Sequence, residues 1–374
     1  MMAENNDIGQ GETKHRSIYP FLISVIVFLA IVFFITRFTE LEQIAVLLTS
    51  IYWGYLWLAL AAEALWLICA TWIYQRLFKI VGIKESFRHT FLLMTSANFA
   101  NIITPSAGMA GLAIFWTDAT RRGYSRAYAT IACMLYILIE YVSLLTIVIL
   151  GLIVLFRRSI LDWTVVSTTI LFIIFTILLA MLLYLGVRFP AMLTRVLEWI
   201  TGRLNAFMKR IVRREFIPVE KVISFSNSAT EAIAVLRAEW RKLLLPLGIG
   251  LFNKCVLIGI LTLMFIAFQV PYSVGTLVAG YSLSYLFFYM SPTPAGIGIV
   301  EGVMTLALKS LGVSLEAATV LTLVFRGFTL WLPLMIGFIS FRFLMIGERK
   351  GKKLISPGID VGERSTHPDK DRSP

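Results

Sequence analysis

The chain has 374 residues, of which 58% are hydrophobic and 15% charged, and its mean hydropathy is +0.81. This composition excludes an ordinary soluble protein and indicates an all-α polytopic membrane protein. The formal net charge of +12 lies largely outside the apolar runs, where it orients the chain in a membrane and gives no sign of nucleic-acid binding.

The first membrane half is predicted over residues 18–187, after a cytoplasmic segment at 1–17. The apolar run at 18–35 is too long for a cleaved signal and predicts a retained first span. Basic residues before it place the N-terminus in the cytoplasm. Three more spans are predicted, over about 52–73, 127–156 and 163–187.

Within this half, residues 89–117 are interrupted at Thr104-Pro105. The apolar runs on either side are shorter than the roughly 20 residues that a spanning helix needs. If the segment crossed the membrane, the basic stretch at 188–242 would lie on the outer face, against the positive-inside rule. We therefore predict a re-entrant helical hairpin. One alternative for the proline-containing segments is a pair of proline-kinked ordinary spans, which would give eight spanning helices in place of six. The other is a tight extramembrane turn.

The basic stretch at 188–242 predicts cytoplasmic amphipathic helices along anionic headgroups. The second membrane half follows at 243–345, with spans at about 243–268 and 315–344. Between them, the prolines and glycines of 291–298 cannot continue a helix and predict a second re-entrant hairpin at 274–310. A disordered cytoplasmic tail is predicted at 346–374.

The two halves contain an inverted repeat, since residues 52–156 and 243–344 match in content and run in opposite directions through the membrane. Each hairpin carries Thr-Pro followed closely by paired glycines. Broken helices that meet near the midplane are typical of transporters, and here the two hairpins are predicted to line a central cavity.

Lone charged residues inside the spans fall at corresponding positions of the repeat: Glu63 and Glu140 in the first half, Lys254 and Arg326 in the second. A charge near the bilayer centre costs at least about 2.5–3.5 kcal/mol, so each is expected to have a partner. We expect two interior ion pairs, whose pairing the sequence leaves open. They could bind substrate or only hold helices together.

Four further polar residues have simple structural readings beside the functional one. Asn98, Asn101 and Asn253 could bridge helices by hydrogen bonds. Glu301 follows Gly298 in the first turn of a predicted helix, where a carboxylate favours the helix dipole.

The three cysteines lie in apolar segments and predict neither a disulfide framework nor a metal cluster. The three histidines, His89 among them, have no partner at ligand spacing. No catalytic set, phosphate loop, metal site or cofactor is therefore expected.

Two stretches carry a resemblance to a known family: PTPAGIGIVEG at 292–302 and RGFTLWLPLMIG at 326–337. With ITPSAGMAG at 103–111, they resemble the lysylphosphatidylglycerol synthase transmembrane region family over about residues 18–345. Ala295 stands where that family usually has glycine. Leu112 stands where it often has an acidic residue.

The resemblance implies movement of a phospholipid or lipid-linked headgroup between membrane leaflets. From the charge pattern we expect the chain to lie in the cytoplasmic membrane with both termini in the cytoplasm. The family's aminoacyl transfer belongs to a soluble domain, so we expect no transferase activity from the segments described above. The residues expected to bind or move substrate are Glu63, Asn98, Asn101, Thr104, Pro105, Gly108, Gly111, Glu140, Asn253, Lys254, Pro292, Thr293, Pro294, Gly296, Gly298, Glu301 and Arg326.

Anionic or lipid-linked headgroups are the expected partners, attracted by Lys254 and Arg326, while the carboxylates balance charge or bind a cationic headgroup. Two other functions stay open. One is a membrane enzyme of aminoacyl-phospholipid or polyprenyl-linked lipid metabolism. The other is an accessory subunit that positions a separate synthase or glycosyltransferase through residues 188–242.

Overall fold

A computed structural model describes residues 51–104, 108–188 and 240–355, with short pieces at 195, 199, 202–203 and 228–231. The predicted first span, Pro105, most of the basic stretch and the residues after 355 lie outside the described residues. Contacts group the described residues from Tyr52 onward into one compact unit. The described residues are mainly helical and include no strand, in agreement with the predicted all-α class.

Five helices of the described chain are long and apolar enough to cross a membrane. They coincide with the five spans predicted between residues 52 and 344. They are α1 (Trp53–Ile80), α4 (Arg126–Arg157), α5 (Trp163–Arg188), α6 (Leu244–Ala267, preceded by a 3-10 turn at Trp240–Leu243), and a last span that combines α9 (Leu315–Arg326), a π-helical turn (Gly327–Trp331) and α10 (Leu332–Ile355). The helix α10 continues past residue 345, where the sequence predicted a disordered tail to begin.

The two proline-containing segments fold as pairs of short helices. Hairpin 1 consists of α2 (Phe87–Ile103) and α3 (Met109–Arg121), and hairpin 2 of α7 (Val274–Met290) and α8 (Ile299–Ser310), with a 3-10 turn at Pro294–Gly296. Their lengths of 17, 13, 17 and 12 residues fall below the roughly 20 that cross a bilayer. The two helices of each pair pack against each other.

The tip of hairpin 2 reverses through residues with positive φ. Ala295 has φ 51°, and Gly296 and Gly298 follow at 69° and 87°. A Cβ added to Gly296 would lie 2.4 Å from a methyl carbon of Val300. Glycine is required there by both backbone angle and space.

Hairpin 2 opens at the end of the bundle where α1 begins. The Tyr52 amide donates to the Ala267 carbonyl oxygen over 3.0 Å, which joins the start of α1 to the end of α6. Arg158, just after α4, donates to the Ser273 hydroxyl over 2.8 Å and to the Leu311 carbonyl oxygen over 3.2 Å. Both ends of hairpin 2 therefore lie beside the end of α4.

Hairpin 1 opens at the other end, where α1 finishes. The Lys84 amide, just after α1, lies 3.4 Å from the hydroxyl oxygen of Tyr124, to which it donates. His89 at the start of α2 contacts Asp118 near the end of α3, with 2.9 Å between Nε2 and Oδ1. Because α1 has 28 residues, the two open ends are separated by about 40 Å along its axis.

Each hairpin packs against the last span of the opposite repeat unit, α2 against α10 of residues 243–344 and α7 against α4 of residues 52–156. Gly337 allows the first contact, since a Cβ there would lie 2.5 Å from the Thr95 carbonyl oxygen. Gly151 allows the second, since its Cβ would lie 2.0 Å from the Ser282 hydroxyl oxygen. Small residues at such crossings let helices approach closely.

Candidate functional site

Arg326, at the end of α9, binds the tip of hairpin 2. Its Nε donates to Glu301 Oε1 over 2.7 Å, and a terminal nitrogen donates to the Ala295 carbonyl oxygen over 2.8 Å. The other oxygen of Glu301 accepts from the Gly298 amide over 2.6 Å. Glu301 therefore caps its own helix, which agrees with the structural one of its two readings, and also neutralises Arg326.

A second buried ion pair joins the two halves of the protein. Lys254 on α6 donates to Glu140 on α4, and the two residues are 1% and 6% exposed. The same carboxylate oxygen of Glu140 accepts from the Tyr289 hydroxyl over 3.1 Å. The Lys254 ammonium also lies 6.0 Å from the ring centroid of Tyr285. A buried pair with these additional contacts is better satisfied than an isolated one.

Lys254–Glu140 is one of the two ion pairs expected among the four span charges. The expected second pair, between Glu63 and Arg326, is not formed, so that part of the prediction is wrong. Arg326 forms its ion pair with Glu301 instead. The two residues are 25 positions apart in the sequence, and they meet because α8 folds back beside α9. Glu63 is 1% exposed, and neither of its carboxylate oxygens has a hydrogen-bond partner among the described residues.

The three predicted asparagines have different surroundings. Asn101 Oδ1 accepts from the Gly111 amide over 2.7 Å, so it bridges α2 and α3, which is the structural one of its two readings. Asn253 is fully buried on α6, and its amide has no partner within the described structure. Asn98 is half-buried on α2.

The remaining predicted residues lie around the two hairpin tips. Thr104 and Gly108 flank the tip of hairpin 1 and are exposed, whereas Pro105 lies outside the described residues. Pro292, Thr293, Pro294, Gly296 and Gly298 form the tip of hairpin 2. Its 3-10 turn packs against α2, which brings the second tip onto the first hairpin.

A cavity of about 570 Å³ lies at the open end of hairpin 1, between that hairpin and α10. The sequence predicted a chamber lined by both hairpins, and this cavity is at a different place. One part of its wall is polar and the rest is apolar. The polar part is formed by His89, Thr117, Asp118, Arg121 and Arg122, and the apolar part includes Leu93, Ile114, Phe341 and Leu344.

His89 belongs to a polar cluster at this cavity, so the prediction that it has no partner is wrong. Ligand atoms of Glu85, His89 and Asp118 lie within 4.8 Å of one another and could hold a metal ion. Arg122 already pairs with Glu85 over 3.0 Å and with Asp118 over 3.4 Å, which disfavours a second cation. Burial raises the pKa of Glu85, and the Arg122 charge lowers it by a smaller amount.

Sequence reasoning missed the tyrosines of α7. Tyr289 binds Glu140, and Tyr285 lies against Lys254. Tyr281 is fully buried one turn earlier, where its ring stacks on Tyr285 at 4.5 Å. A spacing of four residues puts all three on one face of a helix, and this pattern was present in the sequence as a detectable signal.

Two comparisons with known proteins agree with this architecture. Residues 21–337 match the family described as Lysylphosphatidylglycerol synthase TM region. The chain is also similar to UPF0104 membrane protein MJ1595 of Methanocaldococcus jannaschii, with 23% identity over 346 residues that cover 90% of this chain and 98% of that protein. The match at 21–337 includes every helix that forms the two hairpins and the ion pairs of Lys254 and Arg326. The chain belongs to the lysylphosphatidylglycerol synthase TM region family.

Proposed function

We propose that this protein moves a phospholipid or lipid-linked headgroup between the leaflets of the cytoplasmic membrane. The observation that carries the proposal is the crossed packing of two broken-helix hairpins. They open at opposite ends of the bundle, and each packs on the last span of the other repeat unit. Inverted repeats of this kind, with interrupted helices between them, are a transporter arrangement.

In this proposal both hairpins are re-entrant, and both chain termini lie in the cytoplasm. The short lengths of α2, α3, α7 and α8 support re-entry, because none reaches the length of an ordinary span. Non-helical backbone is tolerated at membrane depth when it is buried in protein or lines water. The contacts of Arg326 with Ala295 and Glu301 provide such an environment for the tip of hairpin 2.

The buried cations supply the attraction for an anionic headgroup. Lys254 and Arg326 are each held by one carboxylate, Glu140 and Glu301. A lipid phosphate that reached either cation would replace that carboxylate with an equivalent charged acceptor. The headgroup would thus be transferred from water to a site with a charge partner, which lowers the cost of crossing the apolar core.

The cavity at the open end of hairpin 1 supports a lipid as the substrate. Its wall combines the cationic side chains of Arg121 and Arg122 with the apolar side chains of Leu93 and Phe341. A phospholipid has the same combination of a charged head and apolar tails. We infer that a lipid occupies this cavity before its headgroup moves toward the ion pairs.

The test is a lipid-translocation assay with the full chain in vesicles of phosphatidylglycerol and phosphatidylethanolamine that contain a fluorescent phosphatidylglycerol. An impermeant reductant added outside bleaches only the outer leaflet of protein-free vesicles. With the protein present, we expect label from both leaflets to be bleached. The Arg326→Ala variant should bleach only the label of the outer leaflet. The control Arg157→Ala, at the exposed last residue of α4, should bleach label from both leaflets.

Bleaching that stops at the outer leaflet with folded wild-type protein would contradict the proposal. So would an Arg326→Ala variant that moves the label as fast as the wild type. A covalently altered lipid, detected by mass spectrometry of the same vesicles, would instead favour the membrane enzyme.

A further inference from the structure

Glu63 is a buried ionisable residue that takes part in neither of the two ion pairs. It lies in the middle of α1, is 1% exposed, and has no hydrogen-bond partner for either carboxylate oxygen within the described structure. An ionised carboxylate in such surroundings would be strongly unfavourable, since its charge would be neither solvated nor paired. A neutral, protonated carboxyl avoids most of that cost.

The charge balance of the core leads to the same conclusion. Three carboxylates and two cations lie in or beside the buried centre of the described bundle: Glu63, Glu140, Glu301, Lys254 and Arg326. Each cation already pairs with one carboxylate, Lys254 with Glu140 and Arg326 with Glu301. Glu63 is the surplus acid, and the core is neutral only when this residue carries a proton.

The elements around α1 offer Glu63 no spare cation. Its closest neighbours are α2, α4, α6 and the π-helical turn after Arg326. The titratable side chains along the inner parts of α1 and these neighbours are Cys69, Tyr74, Cys133, Tyr136, Glu140, Tyr141, Lys254 and Cys255. Lys254 is the cation in this set, and Glu140 already neutralises it. Other charged groups on these helices lie near their ends.

The repeat indicates which cation Glu63 lacks. Glu63 and Lys254 occupy corresponding positions in the two halves, as do Glu140 and Arg326. The observed contact between Lys254 and Glu140 therefore has a mirror contact, Glu63 with Arg326, which is not formed. The two residues lie on elements that are in contact, because α1 packs against the π-helical turn that follows Arg326.

We propose that Glu63 is a proton-binding site that couples proton movement to the release of hairpin 2. In the conformation described, the Glu63 carboxyl is protonated and Arg326 holds Glu301 and Ala295. When Arg326 leaves Glu301 and turns to Glu63, the O–H bond of Glu63 breaks and its proton passes to water. The resulting carboxylate takes Arg326 as its partner, and the tip of hairpin 2 loses its anchor. This inference rests on the proposed transport function.

Infrared spectroscopy of the purified full-length protein tests the protonation state without any lipid substrate. A buried protonated carboxyl gives a C=O band that shifts on exchange into D₂O. We expect this band in the wild type at neutral pH and its loss in Glu63→Gln. Since the amide replaces a group that is already neutral, the variant should fold. A band that persists in Glu63→Gln, or a variant that does not fold, would overturn the assignment.

The link to Arg326 is tested by removing its present partner. In Glu301→Gln, Arg326 lacks a counter-charge, so Glu63 should ionise and the band should disappear. In the double variant Glu301→Gln with Arg326→Gln, no unpaired cation remains and the band should return. The matched control is Glu316→Gln on the same helix as Arg326, which should keep the band. Retention of the band in Glu301→Gln would contradict the coupling.

Coupling to transport is measured in the vesicles described above, with the fluorescent phosphatidylglycerol and an imposed pH gradient. The gradient should change the bleaching rate for the wild type and leave the rate of Glu63→Gln unaltered. If wild-type protein moves the label at one rate with or without the gradient, proton coupling is wrong and lipid transport stands. If it moves no label, the transport function fails, and the infrared bands still decide whether Glu63 binds a proton.

Discussion

The guanidinium of Arg326 donates both to the carboxylate of Glu301, over 2.7 Å, and to the carbonyl oxygen of Ala295, over 2.8 Å. The two acceptors lie on either side of the Gly296–Gly298 reversal, so a single side chain holds both arms of the tip. Arg326 is 5% exposed, which shields these contacts from water. The conformation of hairpin 2 therefore depends on a residue of the last span.

Arg326→Lys should loosen the tip of hairpin 2. A lysine can satisfy the Glu301 charge, but it lacks the planar fork that reaches the Ala295 carbonyl oxygen as well. The loss of one hydrogen bond to a charged group costs about 1.5–3 kcal/mol. Hydrogen exchange over residues 291–298 should become faster, while Arg157→Lys, at an exposed position, should leave the exchange unaltered. Unchanged exchange in Arg326→Lys would show that the fork has no role in holding the tip.

Glu140→Gln should strongly destabilise the protein, because it leaves the buried Lys254 ammonium without its counter-charge. Removal of one partner of a buried ion pair typically costs about 3–5 kcal/mol. The free energy of unfolding, measured in mild detergent, should be lower for Glu140→Gln than for the wild type. The double variant Glu140→Gln with Lys254→Met should recover stability, since no unpaired charge remains. A double variant as unstable as Glu140→Gln would mean that the pair is not the source of the effect.

Gly337→Ala should separate α2 from α10. The new Cβ would lie 2.5 Å from the Thr95 carbonyl oxygen and 2.8 Å from the Phe99 Cβ, and neither atom can move without moving α2. Overpacking of this kind costs about 1–3 kcal/mol. Gly302→Ala, where a Cβ meets no atom within 4 Å, is the matched control. We expect a lower melting temperature for Gly337→Ala alone, and equal melting temperatures for both variants would refute the close approach.

Glu85 should make stability depend on pH. Burial raises the pKa of its carboxyl above the ordinary 4.5 in the folded protein, against a smaller lowering by Arg122. The folded state therefore binds this proton more tightly than the unfolded state, and the stabilisation is complete below the ordinary pKa. This stabilisation is lost as the pH rises through the raised pKa of Glu85 in the folded protein. Stability curves for Glu85→Gln should fall less steeply over this range, and an identical slope would exclude Glu85 as the cause.

The five described spans could be predicted because hydropathy and length decide them locally. Each of the runs that begin near 52, 127, 163, 243 and 315 forms a helix close to its predicted bounds. The breaks at Thr104 and at 291–298 were equally local, since proline and glycine determine them. The paired short helices follow from the same residues.

The partners of the charged residues depend on tertiary contacts and could not be predicted. Arg326 and Glu301 meet because α8 folds back beside α9, and His89 meets Asp118 because hairpin 1 closes at its open end. Corresponding positions in the repeat identified four buried charges but left their pairing open. They did not include Glu301, the carboxylate that Arg326 binds.

Cysteine labelling from each side of the membrane tests most directly whether both hairpins re-enter. In a background without Cys69, Cys133 and Cys255, single cysteines would replace residues that flank hairpin 1 (Lys84 and Arg126) or hairpin 2 (Tyr272 and Lys309), all four of which are exposed. We predict that an impermeant maleimide labels 84 and 126 only from the cytoplasm and 272 and 309 only from outside. Labelling of 84 and 126 from opposite sides would show that the segment from α2 to α3 crosses the membrane once as a kinked span, and would contradict the account.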